Sequence, residues 1–540
     1  MKADFTRNTF HPAKNFRRVL MQQGRVQLDA DWNEQTAILL HYLQTLAADV
    51  IGPAGAPKGN PGFQLQTLGA SVKDFMMSAG RCYVGGILCE IITAPVIWTS
   101  IAGSPGRLQV NSWFVDGFPF STGQIVQISD GTASGIVITS ISSLDQASST
   151  LTVSGDLSKL GAAGTLTRPV TYLNQPGLAA AQLPQGKGTQ GVYLDVWERA
   201  ITYVEDDSMR EVALNGPDTA ARSKVVWQAR LLDPATTRKI IAGADIQGQI
   251  EQKPRGLLKA MAKRSAAASD PCTASPEAQY RGPENQLYRV EIHTGGIAGS
   301  KTVGANGSRP QADKNNSSAS TGGPTFKWSR ENGSVVFPIV RSTGTSSVEL
   351  ENLGRDDRFG LEEGDWVEAE DDSTVLLRVA NPLLQVQSVD RTSMNIMLSG
   401  PLPLSLAPGS HPLLRRWDQK GGEATEGGLA LGSDNAALII EDSATWLNLE
   451  NGVQIQFQTS GAVYRTGDYW LIPARTATGD VEWPRETDPN GLITPDNVPL
   501  PMPPLGVQHH YALLGTIDIA ADGSITGVAP TLRTFEPLPI

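Results

Sequence analysis

Two acidic doublets are the first candidates for chemistry, because carboxylates can act as general acids or bases and can bind cations. Asp206 and Asp207 lie in TYVEDDSMR, and Asp371 and Asp372 lie in EAEDDST. A glycosidase needs two carboxylates that face each other across a sugar, whereas neighbouring residues of a strand point to opposite faces. We therefore expect both doublets to be polar turns. A calcium site in either loop stays open as an alternative, since clustered oxygen ligands suit that ion.

The histidine pair His509-His510, in GVQHHYALLG, is the other candidate. On a strand the two rings point to opposite faces, so they cannot chelate one ion together. We expect one ring to pack inward with a satisfied hydrogen bond and the other to face solvent. No serine lies in a G-x-S-x-G elbow, and no glycine-rich segment has the strand, loop and helix context of a nucleotide site. The sequence therefore assigns no catalytic, metal-binding or cofactor-binding residue, and it predicts a protein that is not an enzyme.

A pair of cysteines lies in the segment RCYVGGILCE. Gly85-Gly86 is typical of a two-residue hairpin turn, which would place Cys82 opposite Cys89 on one face at a distance that a disulfide can bridge. Free buried thiols are the favoured prediction, because no export signal points to an oxidising compartment. Cys272 lies in AASDPCTASPE and is expected to be unpaired.

The bulk composition predicts a loop-rich β protein of several domains. The chain has 540 residues, with 55 Gly, 35 Pro and 18% charged residues, and this profile suits strands and turns better than helices. The net charge of −11 argues against nucleic acid as a partner, since phosphate binding needs clustered Lys and Arg. No run of eighteen apolar residues is present, so no membrane span is predicted.

The first fifty-two residues differ from this background and predict a helical head. Phe16, Val19 and Leu20 share one face of an expected short helix that Gly24 ends. Asp31 and Glu34 resemble a capping box that opens a second helix, which carries Leu39, Tyr42, Leu43, Leu46 and Val50 at helical spacing and stops at Gly52-Pro53. An amphipathic helix needs something to pack on, which is either the rest of the chain or a partner.

Two similar segments indicate an internal repeat. Residues 123–155 contain GQIVQISDG, ITSISSLD and TLTVSG, and residues 364–400 contain GDWVEAEDD, LQVQSVD and NIMLSG. In both, the Asp that ends the middle element lies nine residues before a Ser-Gly pair. Each copy predicts a small antiparallel barrel of three to five strands.

We therefore predict a mainly β, multidomain fold with a helical N-terminal head and an antiparallel β-sandwich or barrel body with two small inserted β-barrel-like modules. The domain boundaries are predicted as follows: 1–52 head; 53–100 and 171–350 main β body with loops 255–285 and 295–323; 101–170 first small module; 351–418 second small module; 419–540 C-terminal β domain.

Several long blocks resemble an uncharacterised bacterial domain-of-unknown-function family. They include the opening MKADFTRNTFHPAKNFRRVLMQQGRVQLDADWNEQ, then VYLDVWERAITYVEDDSMREVALNGPDTAARSKVVWQARLL, ENQLYRVEIH, FKWSRENGSVVFPI, HPLLRRWDQ and GDYWLIPARTATGDVEWP. The resemblance covers most of the chain and implies a component of phage-tail-like contractile injection systems. It carries no catalytic residue over. The intervals 101–170, 255–285 and 295–323 fall between the blocks.

The arginines and tryptophans each leave two interpretations open. Arg17-Arg18, Arg415-Arg416 and Arg475 could pair with carboxylates of a neighbouring subunit or with carboxylates of this chain. The eleven tryptophans could line a sugar-binding surface, but one per block is more typical of core residues.

Together these observations predict a structural subunit of a contractile injection particle, at its baseplate, cap or fibre region. It would be assembled in the cytoplasm and released with the particle, and its partners would be other particle subunits and further copies of itself in a homo-oligomer or ring. The predicted interface residues are Phe16, Arg17, Arg18, Val19, Leu20, Trp32, Leu39, Tyr42 and Leu46. A carbohydrate-binding or carbohydrate-cleaving tail-spike-like protein and a cargo or effector protein are the alternatives.

Overall fold

A computed structural model describes residues 1–69, 72–115, 118–132, 135–176, 186–251, 255–262, 279–297, 323–356, 358–407, 409–422, 428–441, 444–458, 461–494 and 497–536. Cys272 and most of the two predicted loops 255–285 and 295–323 lie outside the described residues. The described fold is mainly β, as the composition predicts, with one long helix near its beginning.

The helices are α1 (Asp29–Ile51), α2 (Pro234–Ile241), α3 (Ile246–Ile250) and α4 (Asp372–Leu377), and short 3-10 turns cover Pro12–Lys14, Asp207–Met209 and Val212–Leu214. The strands, in chain order, are β1 (Ala54–Pro57), β2 (Leu65–Thr67), β3 (Phe75–Met77), β4 (Gly80–Val84), β5 (Ile87–Ile91), β6 (Val96–Ser100), β7 (Arg107–Val110), β8 (Phe114–Val115), β9 (Phe118–Pro119), β10 (Ile125–Ser129), β11 (Ile136–Asp145), β12 (Thr150–Val153), β13 (Ala163–Thr167), β14 (Val170–Thr171), β15 (Gly188–Ile201), β16 (Arg222–Leu231), β17 (Leu258–Ala262), β18 (Gln286–Ile292), β19 (Gly296–Ile297), β20 (Thr325–Ser329), β21 (Val336–Ser342), β22 (Ser347–Leu350), β23 (Trp366–Glu370), β24 (Leu384–Asp390), β25 (Asn395–Leu398), β26 (Leu413–Trp417), β27 (Ala437–Leu438), β28 (Leu447–Asn448), β29 (Val453–Phe457), β30 (Val463–Tyr464), β31 (Tyr469–Arg475), β32 (Asp480–Val481), β33 (His509–Ile519), β34 (Ile525–Pro530) and β35 (Thr534–Phe535).

The chain divides into two compact units. Unit 1 comprises Met1–His41, Trp197–Lys224 and Glu251–Gln508, and unit 2 comprises Tyr42–Val196, Val225–Ile250 and His509–Ile540. Each unit contains one closed six-stranded barrel together with open sheets. Both units are therefore built from one closed barrel and several open sheets.

Unit 1 is built around a five-stranded sheet of order β27-β20-β18-β31-β32 and a three-stranded sheet of order β17-β29-β28. Its largest core holds Trp328, Phe457 and Trp470, each almost inaccessible to solvent. Strand β17 lies within the predicted loop 255–285 and pairs with β29 from Leu258 to Ala262. That part of the loop prediction is wrong, because a short strand flanked by low-complexity sequence gives little local signal.

Unit 2 contains sheets of order β35-β1-β4-β5, β14-β3-β2 and β16-β15-β33-β34. In the first of these, β4 and β5 form the hairpin that the sequence predicts, with Cys82 opposite Cys89. The turn glycines Gly85 and Gly86 have φ of 56° and 78°, the left-handed region that this turn requires. Both thiols are free and buried, as predicted.

The two barrels have the same topology. Barrel A runs in the ring order β10-β11-β12-β7-β6-β13, and barrel B runs in the order β23-β24-β25-β22-β21-β26. When the six strands of each barrel are matched in chain order, the two ring orders are identical. The strands of barrel A begin at Val96 and those of barrel B at Val336, so both barrels include strands that precede the predicted modules 101–170 and 351–418.

Equivalent hydrogen bonds reinforce this correspondence. The Ser148 hydroxyl donates to Asp145 at 2.6 Å, and the Ser393 hydroxyl donates to Asp390 at 2.7 Å. The β11–β12 pair and the β24–β25 pair both contain a register shift just before these aspartates. The spacing between Asp and Ser-Gly in the sequence therefore reflects a shared turn and bulge.

The head differs from its prediction in one helix. Residues 15–28 are not helical, and the short helix expected to end at Gly24 is wrong. An isolated helix of one or two turns is marginal in water, and here the Val19 amide instead donates to the Gln35 side chain at 2.8 Å. We call residues 15–28 the arm. Its chain reverses at a turn in which the Arg25 amide donates to the Gln22 carbonyl at 3.3 Å.

Helix α1 confirms the second predicted helix and its stop, since Gly52 has a φ of 93° directly after the last helical residue. The predicted capping box is wrong. The helix begins at Asp29, whose carboxylate accepts bonds from the Thr6 amide and hydroxyl at 2.9 and 2.6 Å. Glu34 accepts from the Thr9 hydroxyl at 2.6 Å, so residues distant in sequence hold this end of the helix through its carboxylates.

Candidate docking surface

The beginning of the head is fixed to unit 1 by Lys2. Its ammonium lies 3.1 Å from a Glu291 oxygen and 3.3 Å from a Glu370 oxygen, and 5.3 Å from the centroid of the Trp417 ring. The next residue, Ala3, is buried, and its carbonyl accepts from the Asn332 side chain at 2.8 Å. Arg7 extends the contact through a 3.0 Å ion pair with Glu482, whose exposed setting makes it weak.

Lys2 enters a buried network of charges carried by strands β18, β20, β23 and β26. Lys327 forms a short hydrogen bond with Glu368 and lies 3.5 Å from Glu291. Arg415 pairs with Glu370 at 3.0 Å. These pairs leave no carboxylate of the network without a cation, which is the condition under which buried charges are tolerated.

The pKa values of the network agree with this pairing. Burial alone would raise the pKa of Glu370, but the charges of Arg415, Lys2 and Lys327 hold it down to about 2. Burial also opposes the charge of Lys327, yet the carboxylates of Glu368, Glu291 and Glu370 raise its pKa. Glu370 and Lys327 are therefore ionised at neutral pH, and the contacts of Lys2 fix the strap of residues 1–3 to the β body.

His293 is the one imidazole within this network. Both ring nitrogens are buried without a hydrogen-bond partner among the described residues, and Nδ1 lies 3.7 Å from Glu368. Burial, and then the positive charge of Lys327, lower the pKa of this ring. His293 is therefore neutral and inaccessible, which suits a packing role better than proton transfer to a bound substrate.

One side of helix α1 is covered by the chain. Ala30, Ile38 and Ile51 are buried, and the tip of the β4–β5 hairpin lies against the helix in unit 2. A Cβ added to Gly86 would stand 2.1 Å from the Gln44 carbonyl oxygen. Glycine is therefore needed at this turn for two reasons: it adopts the positive φ, and its lack of a side chain leaves room for the helix.

The opposite side of α1 is apolar and exposed. Trp32, Leu39, Leu43, Leu46 and Val50 follow one another at intervals of seven, four, three and four residues, which places them on one face. Their exposed fractions are 64%, 52%, 56%, 49% and 57%. Leu40 and Tyr42 flank this face and are exposed as well. We call these seven residues the α1 stripe.

The arm adds further apolar surface. Of the thirty large hydrophobic residues that are exposed in the described part of the chain, twelve lie between residues 16 and 50. Those of the arm are Phe16, Leu20, Met21, Val26 and Leu28. Exposed apolar residues scattered singly need no explanation, whereas such a concentration marks an interaction surface.

Every predicted interface residue lies in this region. Phe16, Leu20, Trp32, Leu39, Tyr42 and Leu46 are exposed apolar residues, and Val19 is half-buried. Arg17 and Arg18 are exposed, and neither forms an ion pair with a described residue. The structure thus places all nine on the arm and on α1, seven of them apolar or aromatic.

The other arginines pair within the chain. Arg415 is bound to Glu370, Arg416 lies 3.3 Å from Asp418, and Arg475 lies 2.9 Å from Glu482. Of the two interpretations, intramolecular pairing therefore holds for these three. Of the arginines noted in the sequence, Arg17 and Arg18 of the arm are the two that form no ion pair with a described residue.

The acidic doublets form turns and ion pairs. The carboxylates of Asp206 and Asp371 accept from main-chain amides at the start of a short 3-10 turn and of α4. Asp207 pairs with Arg210 at 2.8 Å, and Asp372 pairs with Arg199 at 3.0 Å. Among the described residues, no group of three or more His, Cys, Asp or Glu side chains could hold a metal ion.

The histidine pair is divided between a buried and a half-buried position, and four of the tryptophans lie in the core. His509 is buried, and its Nδ1 lies 2.5 Å from Asp195, while His510 is half-buried. Trp98, Trp328, Trp417 and Trp470 are almost fully buried, which confirms the core interpretation for these four. Trp32 is the exposed exception among the described tryptophans.

Sequence reasoning missed the anchor and part of the surface. Lys2, Glu291 and Glu370 were not singled out, although the alternating charges of WVEAE and LLRRW are unusual for buried strands. Met21 was missed because its segment was expected to be helical, and Val26 lies beyond the expected end of that helix at Gly24. Apolar residues that follow neither a helical nor a strand period could have indicated an extended docking segment.

Comparison with known families agrees with the length and order of the blocks noted in the sequence. A family model described as a family of unknown function, DUF6519, matches residues 1–124, 160–250 and 253–525. The unmatched residues 125–159 lie within barrel A. No curated protein and no solved structure matches the chain. Within the described residues, no helix is both long and apolar enough to cross a membrane. The family match extends over most of the sequence, and the chain therefore belongs to the DUF6519 family.

Proposed function

We propose that this protein is a structural subunit of a phage-tail-like contractile injection particle, and that it docks onto a neighbouring subunit through its head. The single observation that carries the docking proposal is the exposed α1 stripe, whose length and continuity are unusual for a surface helix. The assignment to an injection particle rests on the sequence resemblance of the head and of the blocks that follow it.

The size of the exposed surface supports docking. From their exposed fractions, the seven residues of the stripe leave on the order of 700 Å² open to solvent. Monomeric soluble proteins rarely expose a contiguous apolar patch larger than a few hundred Å². One partner of a stable protein–protein interface contributes about 800 Å². The stripe alone therefore approaches the area that one side of such an interface needs.

The anchoring of the head supports a structural role. A docking element can position the rest of the protein only if it is fixed to it. Lys2 lies in the buried charge network, and Arg475 donates to the Thr6 carbonyl at 3.2 Å. The strap thereby joins the docking surface to the sheets of unit 1, as a scaffold subunit requires.

The alternatives receive no comparable support. A glycan-binding groove would need exposed aromatic rings, but Trp98, Trp328, Trp417 and Trp470 are almost fully buried. The acidic doublets are engaged in caps and ion pairs, as described above. A cargo protein that only travels with the particle would have no need of an exposed apolar helix.

The test is a variant that removes the apolar character of the stripe without disturbing the fold. We expect Trp32→Gln combined with Leu39→Gln and Leu46→Gln to abolish incorporation into particles, because each of these residues is at least 49% exposed in the free chain. Incorporation is measured by the amount of this chain that co-sediments with purified particles. The melting temperature should change by less than about 3 °C, since surface substitutions cost little.

The matched control replaces Ile97 and Phe114 by Gln, because these apolar side chains of unit 2 have exposed fractions of 54% and 55%. The control should co-sediment as the natural chain does. A stripe variant that folds and co-sediments normally would contradict the proposal. Deletion of residues 1–52 is a poorer test, because it also removes Lys2 from the buried network.

A further inference from the structure

The arm and helix α1 carry opposite charges, and none of these charged side chains forms an ion pair with a described residue. Residues 1–28 contain six basic residues and one acidic residue, a net charge of +5, so that the chain's −11 leaves −16 on the remaining residues. Arg17, Arg18 and Arg25 lie in the arm, and none forms an ion pair with a described residue. Helix α1 contains three Asp, one Glu and no Lys or Arg.

Two of the helix carboxylates are equally available. Asp29 and Glu34 are occupied by Thr6 and Thr9, but Asp31 and Asp49 form no ion pair with a described residue. Asp49 is exposed and Asp31 is half-buried. On the helical wheel both lie about 100° from the centre of the stripe, so they border it. The acidic border of one surface and the basic side chains of the other are therefore complementary.

The dimensions of the two elements also match. From Trp32 to Val50 the helix rises roughly 27 Å. The longer limb of the arm, residues 15–22, can extend roughly 25 Å. Among the described residues, no strand pairs with the arm. Its main chain contacts α1 of the same chain through the Val19–Gln35 hydrogen bond, and five of its apolar side chains are exposed. One limb can thus cover one stripe from end to end.

We propose that the arm of one copy lies along the α1 stripe of a second copy of this chain, with the arginines of the arm against the acidic border whose two ends are Asp31 and Asp49. This inference rests on the proposed function and names the neighbouring subunit as a second copy. The second copy is the occupant because the chain itself carries both complementary halves. Each arm–stripe contact would bury on the order of 1,400 Å² of both surfaces together, within the range of stable interfaces.

Copies that exchange arms in this way can form either a two-fold dimer or a closed ring. In a two-fold dimer each interface would contain two arm–stripe contacts, and in a ring each interface would contain one. Electrostatic complementarity would favour contacts that bring the arginines of the arm to this border.

The test uses the full chain and measures its self-association by sedimentation velocity at a range of protein concentrations. The natural protein should self-associate at micromolar concentration. Arg17→Glu with Arg18→Glu should weaken the association at least tenfold, because like charges then face each other. Asp31→Arg with Asp49→Arg should weaken it similarly, and an equimolar mixture of the two variants should restore association as hetero-oligomers.

The matched control is Lys159→Glu with Arg391→Glu, which makes the same change in net charge at two exposed positions away from the head. It should associate as the natural chain does. The inference would be overturned if the natural chain stayed monomeric up to about 100 μM. It would also be overturned if reversing the charge of the arm had no effect on association, or if the mixture of the two variants did not associate. If the natural chain is monomeric while the stripe variant still loses particle incorporation, the proposed function stands and the neighbour is a different protein.

Discussion

At the scale of single residues, the most consequential feature is the cluster of ionised side chains inside unit 1. Removing two charges from water is costly, and only close opposite charges with hydrogen bonds repay that cost. Glu370 meets this condition through Arg415 and Lys2. The same pairing that lowers its pKa makes the stability of unit 1 depend on pH.

We expect Glu370→Gln to lower the free energy of unfolding by about 3–5 kcal/mol at pH 7, because Arg415 loses its partner in a buried site. The pKa of Glu370 falls from about 4.5 to about 2 on folding. A carboxylate with a lowered pKa stabilises the fold above its unfolded pKa and loses this contribution as the pH falls through the folded value. The difference between the two proteins should therefore shrink between pH 4.5 and pH 2.

Urea denaturation at several pH values measures this difference. Glu363→Gln is the control, because Glu363 is exposed and forms no ion pair with a described residue; its effect should stay within about 0.5 kcal/mol. A Glu370→Gln effect that is the same at pH 7 and pH 2 would show that the carboxylate charge is unimportant.

At the scale of elements, the β4–β5 hairpin shows how a turn can specify more than its own strands. The sequence predicts its register from Gly85-Gly86 alone, and the structure confirms it residue by residue. What the sequence does not reveal is that helix α1 lies against the turn, with the Gln44 carbonyl where a Gly86 side chain would be. The turn is thus also a contact point for the helix.

We expect Gly86→Ala to cost about 2–3 kcal/mol of unfolding free energy, since it adds a steric conflict to the strain of a positive φ. Gly103→Ala is the matched control. Gly103 has a φ of 73°, but a Cβ there would meet nothing within 4 Å, so only the conformational strain of about 1 kcal/mol remains. Equal losses in the two variants, measured by chemical denaturation, would argue against the contact with the helix.

The two barrels show how one element can be adapted to two environments. In barrel B, Val367 and Ala369 point into the barrel core, while Glu368 and Glu370 alternate with them and face the charge network. The matching positions of barrel A are Gln127 and Ser129, which are only half-buried. The duplicated strands thus keep their apolar face and differ in the face that meets a neighbouring sheet.

At the scale of the whole molecule, the arm and the stripe predict a protein whose free and assembled states differ in accessibility. The arm is extended, contains three arginines and has no strand partner among the described residues. Proteases select exposed and extended segments. We therefore expect trypsin to cleave the dissociated chain first after Arg17, Arg18 or Arg25, and at least tenfold more slowly in the assembled state.

Mass spectrometry of the fragments over time measures the two rates. The exposed Lys159 of unit 2 serves as an internal reference, because its cleavage rate should be the same in both states. Cleavage of the arm at equal rates in the two states would contradict the proposed contact.

The sequence by itself determined the features that depend on neighbouring residues. Gly85-Gly86 sets the hairpin, the spacing of Asp145 and Asp390 from their Ser-Gly pairs reveals the two barrels, and Gly52-Pro53 ends α1. These signals can be read directly because turn geometry and side-chain period are local properties.

The tertiary structure alone decided the features that depend on distant residues. The arm is not helical, since a helix of its length is marginal without packing, and Thr6 holds the first residue of α1 through the Asp29 carboxylate. Lys2 is half-buried, with its ammonium held where carboxylates from β18 and β23 converge. Non-local partners of this kind compensate the cost of burying charge, and only the folded chain brings them together.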